Sequence, residues 1–332
     1  MGEVDPAFVQ DAQHRPKLAV IEAEGIPLID LSSANASNHV SQIADACKNW
    51  GFFQVINHGV PSESRRKILD AARKFFALPA EEKRKVSRDE VNPMGYFDIE
   101  HTKNVRDWKE VFDFVVRTPA FGPASDDPDD KELIELTNRW PQYPPELREI
   151  CEEYARETEK LAFKLMGLIS LSLGLPENRF NLFFEESTSF VRLNHYPPCP
   201  VPHLALGVGR HKDPGALTIL GQDDVGGLEV KRKTDGEWIR VKPTQMLYHQ
   251  CWGYNSEHRV ILNSERERFS IPFFFNPAHH LWVQPLEELT KGGKTKSIEH
   301  TTGESSLLRE KRSNLKKLDV ENLQISHFKA SE

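Results

Sequence analysis

From Ser187 to Phe275 the chain breaks into short β-rich segments, SFVRLNHYP, ALTILGQD, GLEVKRK, EWIRVKP, HRVILN and RFSIPFFF, separated by Gly, Pro and Asp. Short strands at such close spacing cannot each bury an apolar face alone, so they specify an all-β barrel or jelly roll. Upstream the texture differs. GIPLIDLSS reads as a buried strand, and Ile43, Ala46, Cys47 and Trp50 fall at helical spacing. FFQVINHGV reads as a strand closed by a Gly turn. A second amphipathic helix over 62–77 carries Ile68, Leu69, Ala72, Phe75 and Phe76 on one face. A long helix runs through Leu147, Cys151, Tyr154, Leu161, Leu165 and Leu168 and is stopped by Gly174 and Pro176. TPAFGPASDDPDD reads as an exposed loop. The expected class is α+β: an N-terminal α/β region over 1–145, a scaffold helix and linker over 146–186, a jelly roll over 187–285 and a C-terminal segment over 286–332.

A net charge of −7 argues against nucleic acid or an anionic membrane as the main partner. No run is long and apolar enough to span a bilayer, and MGEVDPAFVQDAQHRPK lacks a signal-peptide core. Cys47, Cys151, Cys199 and Cys251 are widely spaced and form no CxxC pair, so they read as buried free thiols in a reducing cytoplasm. The expectation is a cytoplasmic monomer acting on a small molecule.

RHKDPGALTIL places His211 and Asp213 two apart at the start of a β run. Alternate residues of a strand share a face, so this imidazole and carboxylate can grip one ion together. SEHRV supplies His258 from another strand. Two imidazoles and one carboxylate leave coordination positions open, the donor set of non-haem Fe(II) oxygenases. Arg268 and Ser270 in RERFSIP alternate onto one strand face. A guanidinium beside a hydroxyl suits a carboxylate, and an unpaired Arg in the core-like run before FFF would be costly.

IPLIDLS, WGFFQVINHGV, NHYPPCPVP, HKDPGALTIL, DDVGGLEV, EHRVILNS and RFSIPFFFNP together make the chain, from about residue 25 to 285, resemble the plant-type 2-oxoglutarate/Fe(II)-dependent dioxygenases, the group of flavonol synthase, anthocyanidin synthase and gibberellin oxidases. The resemblance implies a double-stranded β-helix core. It makes His211, Asp213 and His258 the ligands of Fe(2+), and Arg268 and Ser270 the binders of the distal carboxylate of 2-oxoglutarate. Asn194 and Tyr196 match positions lining that pocket. It also implies O2 as co-substrate, ascorbate as reductant, and hydroxylation or desaturation of a specialised metabolite or hormone. Alternatives are an iron oxidase of this fold that does not use 2-oxoglutarate, and a non-catalytic binding or regulatory isoform. HTKNVRDWKEVFDF reads either as an amphipathic element packing over the barrel or, through Phe112 and Phe114, as the rim of the substrate pocket.

One interval departs from the family. Asp213 and His258 are 45 residues apart, shorter than in relatives by about ten residues, a length that spans about 33 Å as strand. QMLYHQCWGYN stands where relatives resemble YIINVGDT and a WSN segment. A one-base displacement of codons for YIINVGDT yields YHQCWGY. A similar displacement of the family's C-terminal pattern yields SIEHTTGES at 297–305. The expectation is therefore a frame-altered form with one core strand missing or replaced, weakened delivery of His258, and reduced iron affinity and turnover.

Overall fold

Two sheets face each other in the β-rich half, and helices cover the outer side of the larger one. The computed structural model describes residues 4–17, 21–22, 26–32, 36–123, 132–213, 215–243, 247–251, 256–283, 286–290 and 301–302. The helices that matter here are α1 (Ala36–Asn49), α2 (Ser62–Phe76) and α3 (Leu147–Ser172). The strands of the two sheets, in chain order, are β1 (Ile21–Glu22), β2 (Leu28–Asp30), β3 (Phe52–Ile56), β4 (Gly95–Phe97), β5 (Glu110–Val115) and β6 (Phe190–Tyr196). They continue as β7 (Val208–His211), β8 (Leu217–Gln222), β9 (Leu228–Lys231), β10 (Trp238–Arg240), β11 (Leu247–Cys251), β12 (His258–Val260) and β13 (Arg268–Phe275).

The larger sheet has the order β2-β3-β11-β8-β13-β6-β5-β4, and the smaller β1-β10-β9-β12-β7. After β6 the chain crosses between the sheets at each step except the antiparallel β9–β10 pair, which stays within the smaller sheet, the path of a jelly roll. The N-terminal α/β region is continuous with the barrel, because β2 and β3 extend the larger sheet by pairing β3 with β11.

Burial follows alternation. Val191 and Leu193 on β6 and Ile271, Phe273 and Phe275 on β13 enter a core shared with Ile43 of α1, Ile68 and Phe75 of α2 and Leu165 of α3. The intervening residues Asn194, Tyr196, Arg268 and Ser270 occupy the opposite, barrel-inner face. On β5 the same parity puts Val111, Asp113 and Val115 opposite Asn194, Arg192 and Phe190. Phe112 and Phe114 therefore face the helices. Phe112 packs 5.0 Å from Phe75, and Phe114 lies 5.1 Å from Trp140, by ring centroids. Both are buried in the main core, so the structure places them in packing and not on a pocket rim.

The strand position in question is filled. The backbone of Leu247–Cys251 pairs antiparallel with β8 on one side and β3 on the other. Of the second anomalous stretch, only Thr301 and Thr302 are described, as a short strand against Trp282–Val283; the rest of 297–305 lies outside the described residues. Cys151 and Cys199 are buried free thiols, whereas Cys47 carries a disulfide. That corrects the reading of all the cysteines as free, which rested on spacing along the chain and not on what the fold brings together. No helix among the described residues is long and apolar enough to cross a membrane.

Candidate metal centre and co-substrate pocket

His211 ends β7 and His258 begins β12, and the two are directly opposed in the antiparallel ladder. Their rings lie 4.1 Å apart by centroids. Asp213, two residues past His211, brings Oδ1 to 3.4 Å from His211 Nε2 and 3.7 Å from His258 Nε2. One donor atom from each residue thus falls within 4.8 Å of the others. The shortened interval between Asp213 and His258 still delivers His258 to this cluster.

The second nitrogen of each ring sets its tautomer. His211 Nδ1–H donates to Gly209 O at 2.8 Å, and His258 Nδ1 lies 3.4 Å from Ser256 O. A proton on Nδ1 leaves an Nε2 lone pair directed at Asp213, the arrangement a metal ligand needs. Burial, with the His211 imidazole adding to it, pushes His258 down to about 4 and keeps it neutral. Burial alone would raise Asp213, but His258, His211 and a Thr218 hydrogen bond outweigh it and hold the carboxyl at about 2. A neutral His258 imidazole and an ionised Asp213 carboxylate are in the protonation states that bind a divalent cation. The donor set fits Fe(II).

The second half of the site sits on the larger sheet. Tyr196 is opposite Arg268 and Asn194 opposite Ser270 across β6 and β13, and Gln222 on β8 is opposite Ser270. Arg268 is 3% exposed. Its Nη2 donates to Gln222 Oε1 at 2.8 Å, and its guanidinium stands 4.8 Å over the Tyr196 ring. Arg268 Nε and Nη1, Gln222 Nε2 and Asn194 Oδ1 are buried with no hydrogen-bond partner among the described residues. Asp223, the nearby carboxylate, is committed to the Phe269 and Val225 N–H groups. Buried donors left without hydrogen-bond partners on this guanidinium and on Gln222 fit an incoming carboxylate such as the distal one of 2-oxoglutarate.

The two halves are neighbours. Val260, on the same face of β12 as His258, packs with Tyr196 and Val208. Gly207 permits that contact, since a Cβ there would come within 2.7 Å of the Tyr196 ring. Gly227, at φ +106°, would place a Cβ 2.7 Å from Ile261 O and 3.6 Å from Arg268 Cδ. Backbone without side chains is what lets the smaller sheet approach the Tyr196–Arg268 pair.

Gln222, Thr218, Gly207 and Arg192 are participants that sequence reading did not single out. Strand parity could have flagged Arg192, two residues before Asn194. Arg192 spans Asp113 at 2.7 and 2.8 Å and Glu100 at 2.9 Å, while Arg88 and Lys109 also reach Glu100. Burial opposes ionisation of Glu100, yet Arg192, Lys109 and Arg88 hold it well below the usual carboxylate range. With Asp107, which Lys109 Nζ also approaches at 3.4 Å, the cluster sets three cations against three carboxylates and extends from the barrel-inner face of β5 and β6.

A jelly roll carrying two histidines and an aspartate beside a buried carboxylate receptor defines a non-haem iron, 2-oxo-acid-dependent oxygenase. The chain belongs to the plant-type 2-oxoglutarate/Fe(II) oxygenase family: residues 187–277 match the 2OG-Fe(II) oxygenase superfamily, and residues 26–143 match the non-haem dioxygenase in morphine synthesis N-terminal region. Jasmonate-induced oxygenase 2 of Arabidopsis thaliana is 36% identical over 308 residues, covering 86% of this chain and 76% of that protein. Flavanone 3-dioxygenase of Petroselinum crispum is 33% identical over 303 residues, covering 84% and 78%. The crystal structure of JOX2 in complex with 2OG, Fe, and JA superposes with a TM-score of 0.83 at 30% identity, covering 100% of this chain and 95% of that one. The protein is an oxidoreductase of this class, and the family uses Fe(II), 2-oxoglutarate and O2, typically with ascorbate.

Proposed function

We propose that the protein couples oxidative decarboxylation of 2-oxoglutarate to hydroxylation or desaturation of a small specialised metabolite or hormone. His211, Asp213 and His258 would hold Fe(II), and Arg268, Ser270, Asn194 and Tyr196, with Gln222, would hold 2-oxoglutarate. The observation that carries this reading is the set of partnerless buried donors at Arg268 and Gln222 next to the imidazole–carboxylate cluster. When bound, the metal supplies the chemistry that converts O2 and 2-oxoglutarate to succinate, CO2 and an oxidised substrate C–H.

The chain's own part is positioning and exclusion of water. Gly209 O and Ser256 O keep both imidazoles in the ligating tautomer. Gln222 fixes the Arg268 plane from one side while the Tyr196 face fixes it from below. Arg192, Arg88 and Lys109 face Asp113, Glu100 and Asp107 in a polar wall of three cations and three carboxylates. Substrates of the relatives' classes, a jasmonate-type acid or a flavanone, are the first to try. The assembled metal cluster supports a competent form despite the altered stretch before His258.

The test is aerobic incubation with Fe(II), 2-oxoglutarate, ascorbate and a panel of such substrates, with succinate and oxidised product both quantified. Succinate formed in step with product is expected. Oxidised product without succinate would point to an iron oxidase that dispenses with 2-oxoglutarate. Absence of both, with no Fe(II) or Mn(II) binding, would point to a non-catalytic or impaired isoform.

A further inference from the structure

β7 is an outer strand of the smaller sheet, and its ladder with β12 is irregular between Val208 and His211. Such an irregularity re-aims the next side chain and takes backbone groups out of the ladder, where they need other partners. The Gly209 N–H is one of these, and it donates to Asp107 Oδ1 at 3.0 Å. Asp107 is 1% exposed. Its Oδ2 accepts from Thr102 Oγ1 at 2.8 Å and lies 3.4 Å from Lys109 Nζ. The adjoining Trp108 N–H donates to Leu206 O at 3.0 Å, so residues 107 and 108 hold this edge at two points. The approach requires glycine at 209, because a Cβ there would stand 2.9 Å from Thr102 Cβ and Cγ2. The Gly209 carbonyl is the group that accepts the His211 Nδ1–H.

We propose that Asp107 is a positioning residue for the metal centre: by holding Gly209 in the irregular turn of β7 it fixes the ring plane and tautomer of His211. The proposal rests on the reading of His211 as a ligand. It also gives part of HTKNVRDWKEVFDF a role that neither core packing nor a pocket rim supplies. Groups that orient ligating histidines ordinarily change metal affinity by about 10- to 100-fold when removed.

The experiment is titration of the full-length protein with Co(II), a stand-in for Fe(II) whose visible absorption reports ligand geometry, on samples checked for folding by circular dichroism. Wild type is expected to bind Co(II) with a defined spectrum that His211→Ala abolishes. A wild type without that spectrum would overturn the ligand reading and this proposal together. Asp107→Ala is expected to bind about 10- to 100-fold more weakly with an altered spectrum. Asp107→Asn, whose amide oxygen can still accept the Gly209 N–H, is expected to recover most of the affinity. An unchanged affinity and spectrum in Asp107→Ala would overturn the proposal while leaving His211 a ligand. Equal loss in Asp107→Asn would also overturn it, assigning the effect to the Lys109 ion pair. If Asp107→Ala does not fold, Thr102→Val takes its place: weaker Co(II) binding supports the proposal, and wild-type binding overturns it.

Discussion

In the proposed co-substrate pocket, Arg268 concentrates the binding energetics in one side chain. Its guanidinium is buried with two nitrogens unpartnered, so a bound carboxylate satisfies both its charge and its donors. Removing one partner of a buried, charge-assisted hydrogen-bonded pair costs about 2–5 kcal/mol. Arg268→Ala is therefore expected to raise the 2-oxoglutarate concentration for half-maximal succinate formation by on the order of 100-fold, with less effect on Co(II) affinity. Arg268→Lys, which cannot present the planar fork, should recover only part of it. Acid acts on a different residue. Burial, then the Arg65 and Lys164 cations, depress His58 to about 4, against 6.5 unperturbed. The unfolded chain takes up that proton first, so His58 costs nothing above about pH 6.5 and destabilises the fold progressively as pH falls toward 4. The span of the shift bounds the effect at about 3 kcal/mol. Unfolding free energies measured at pH 7 and pH 5 should show the drop, and His58→Gln should flatten it.

Strand parity governs which residues of each element reach the site. His211, Asp213, His258, Arg268 and Ser270 were legible because each is a chemically distinctive residue in a short β motif, and the fold brings His211, Asp213 and His258 to one point. Phe112 and Phe114 were open to two readings, since periodicity locates a face without saying what covers it. α2 and Trp140 cover that face. Phe112→Ala is accordingly expected to cost about 3–5 kcal/mol of stability, as for other buried aromatics, read as a shift in the denaturant midpoint, with substrate KM unchanged in the folded enzyme. A raised KM at unaltered stability would restore the pocket-rim reading. The partners Gln222 and Thr218 were illegible for a different reason. Their positions depend on the β8–β13 register, a long-range pairing that no local pattern encodes. The strand Leu247–Cys251 makes a related point: its backbone pairs with β3 and β8 although its residues do not resemble those the family has there. The larger sheet supplies a slot, and a slot constrains backbone more than identity.

At the scale of the whole molecule, the candidate site joins the two sheets. β7 and β12 of the smaller sheet carry the candidate ligands His211 and His258, while Tyr196, over which Arg268 stacks, reaches from β6 of the larger sheet to pack against Val208 and Val260. A ligand that binds only this folded arrangement stabilises it by about 2.7 kcal/mol when present at 100 times its dissociation constant. Saturating Co(II) should thus raise the unfolding free energy of wild type and leave His258→Ala unmoved. The central claim is that one folded chain joins the imidazole–carboxylate cluster to the Arg268 carboxylate receptor, so that Fe(II) and 2-oxoglutarate bind side by side. Anaerobic titration of the Fe(II)-loaded protein with 2-oxoglutarate tests it directly, through the visible charge-transfer absorption of an Fe(II)–2-oxo acid chelate. The expected result is a saturable band that His211→Ala abolishes and that Arg268→Ala shifts to much higher 2-oxoglutarate concentration. A folded wild type that binds Fe(II) yet develops no band, or a band indifferent to Arg268→Ala, would contradict the account.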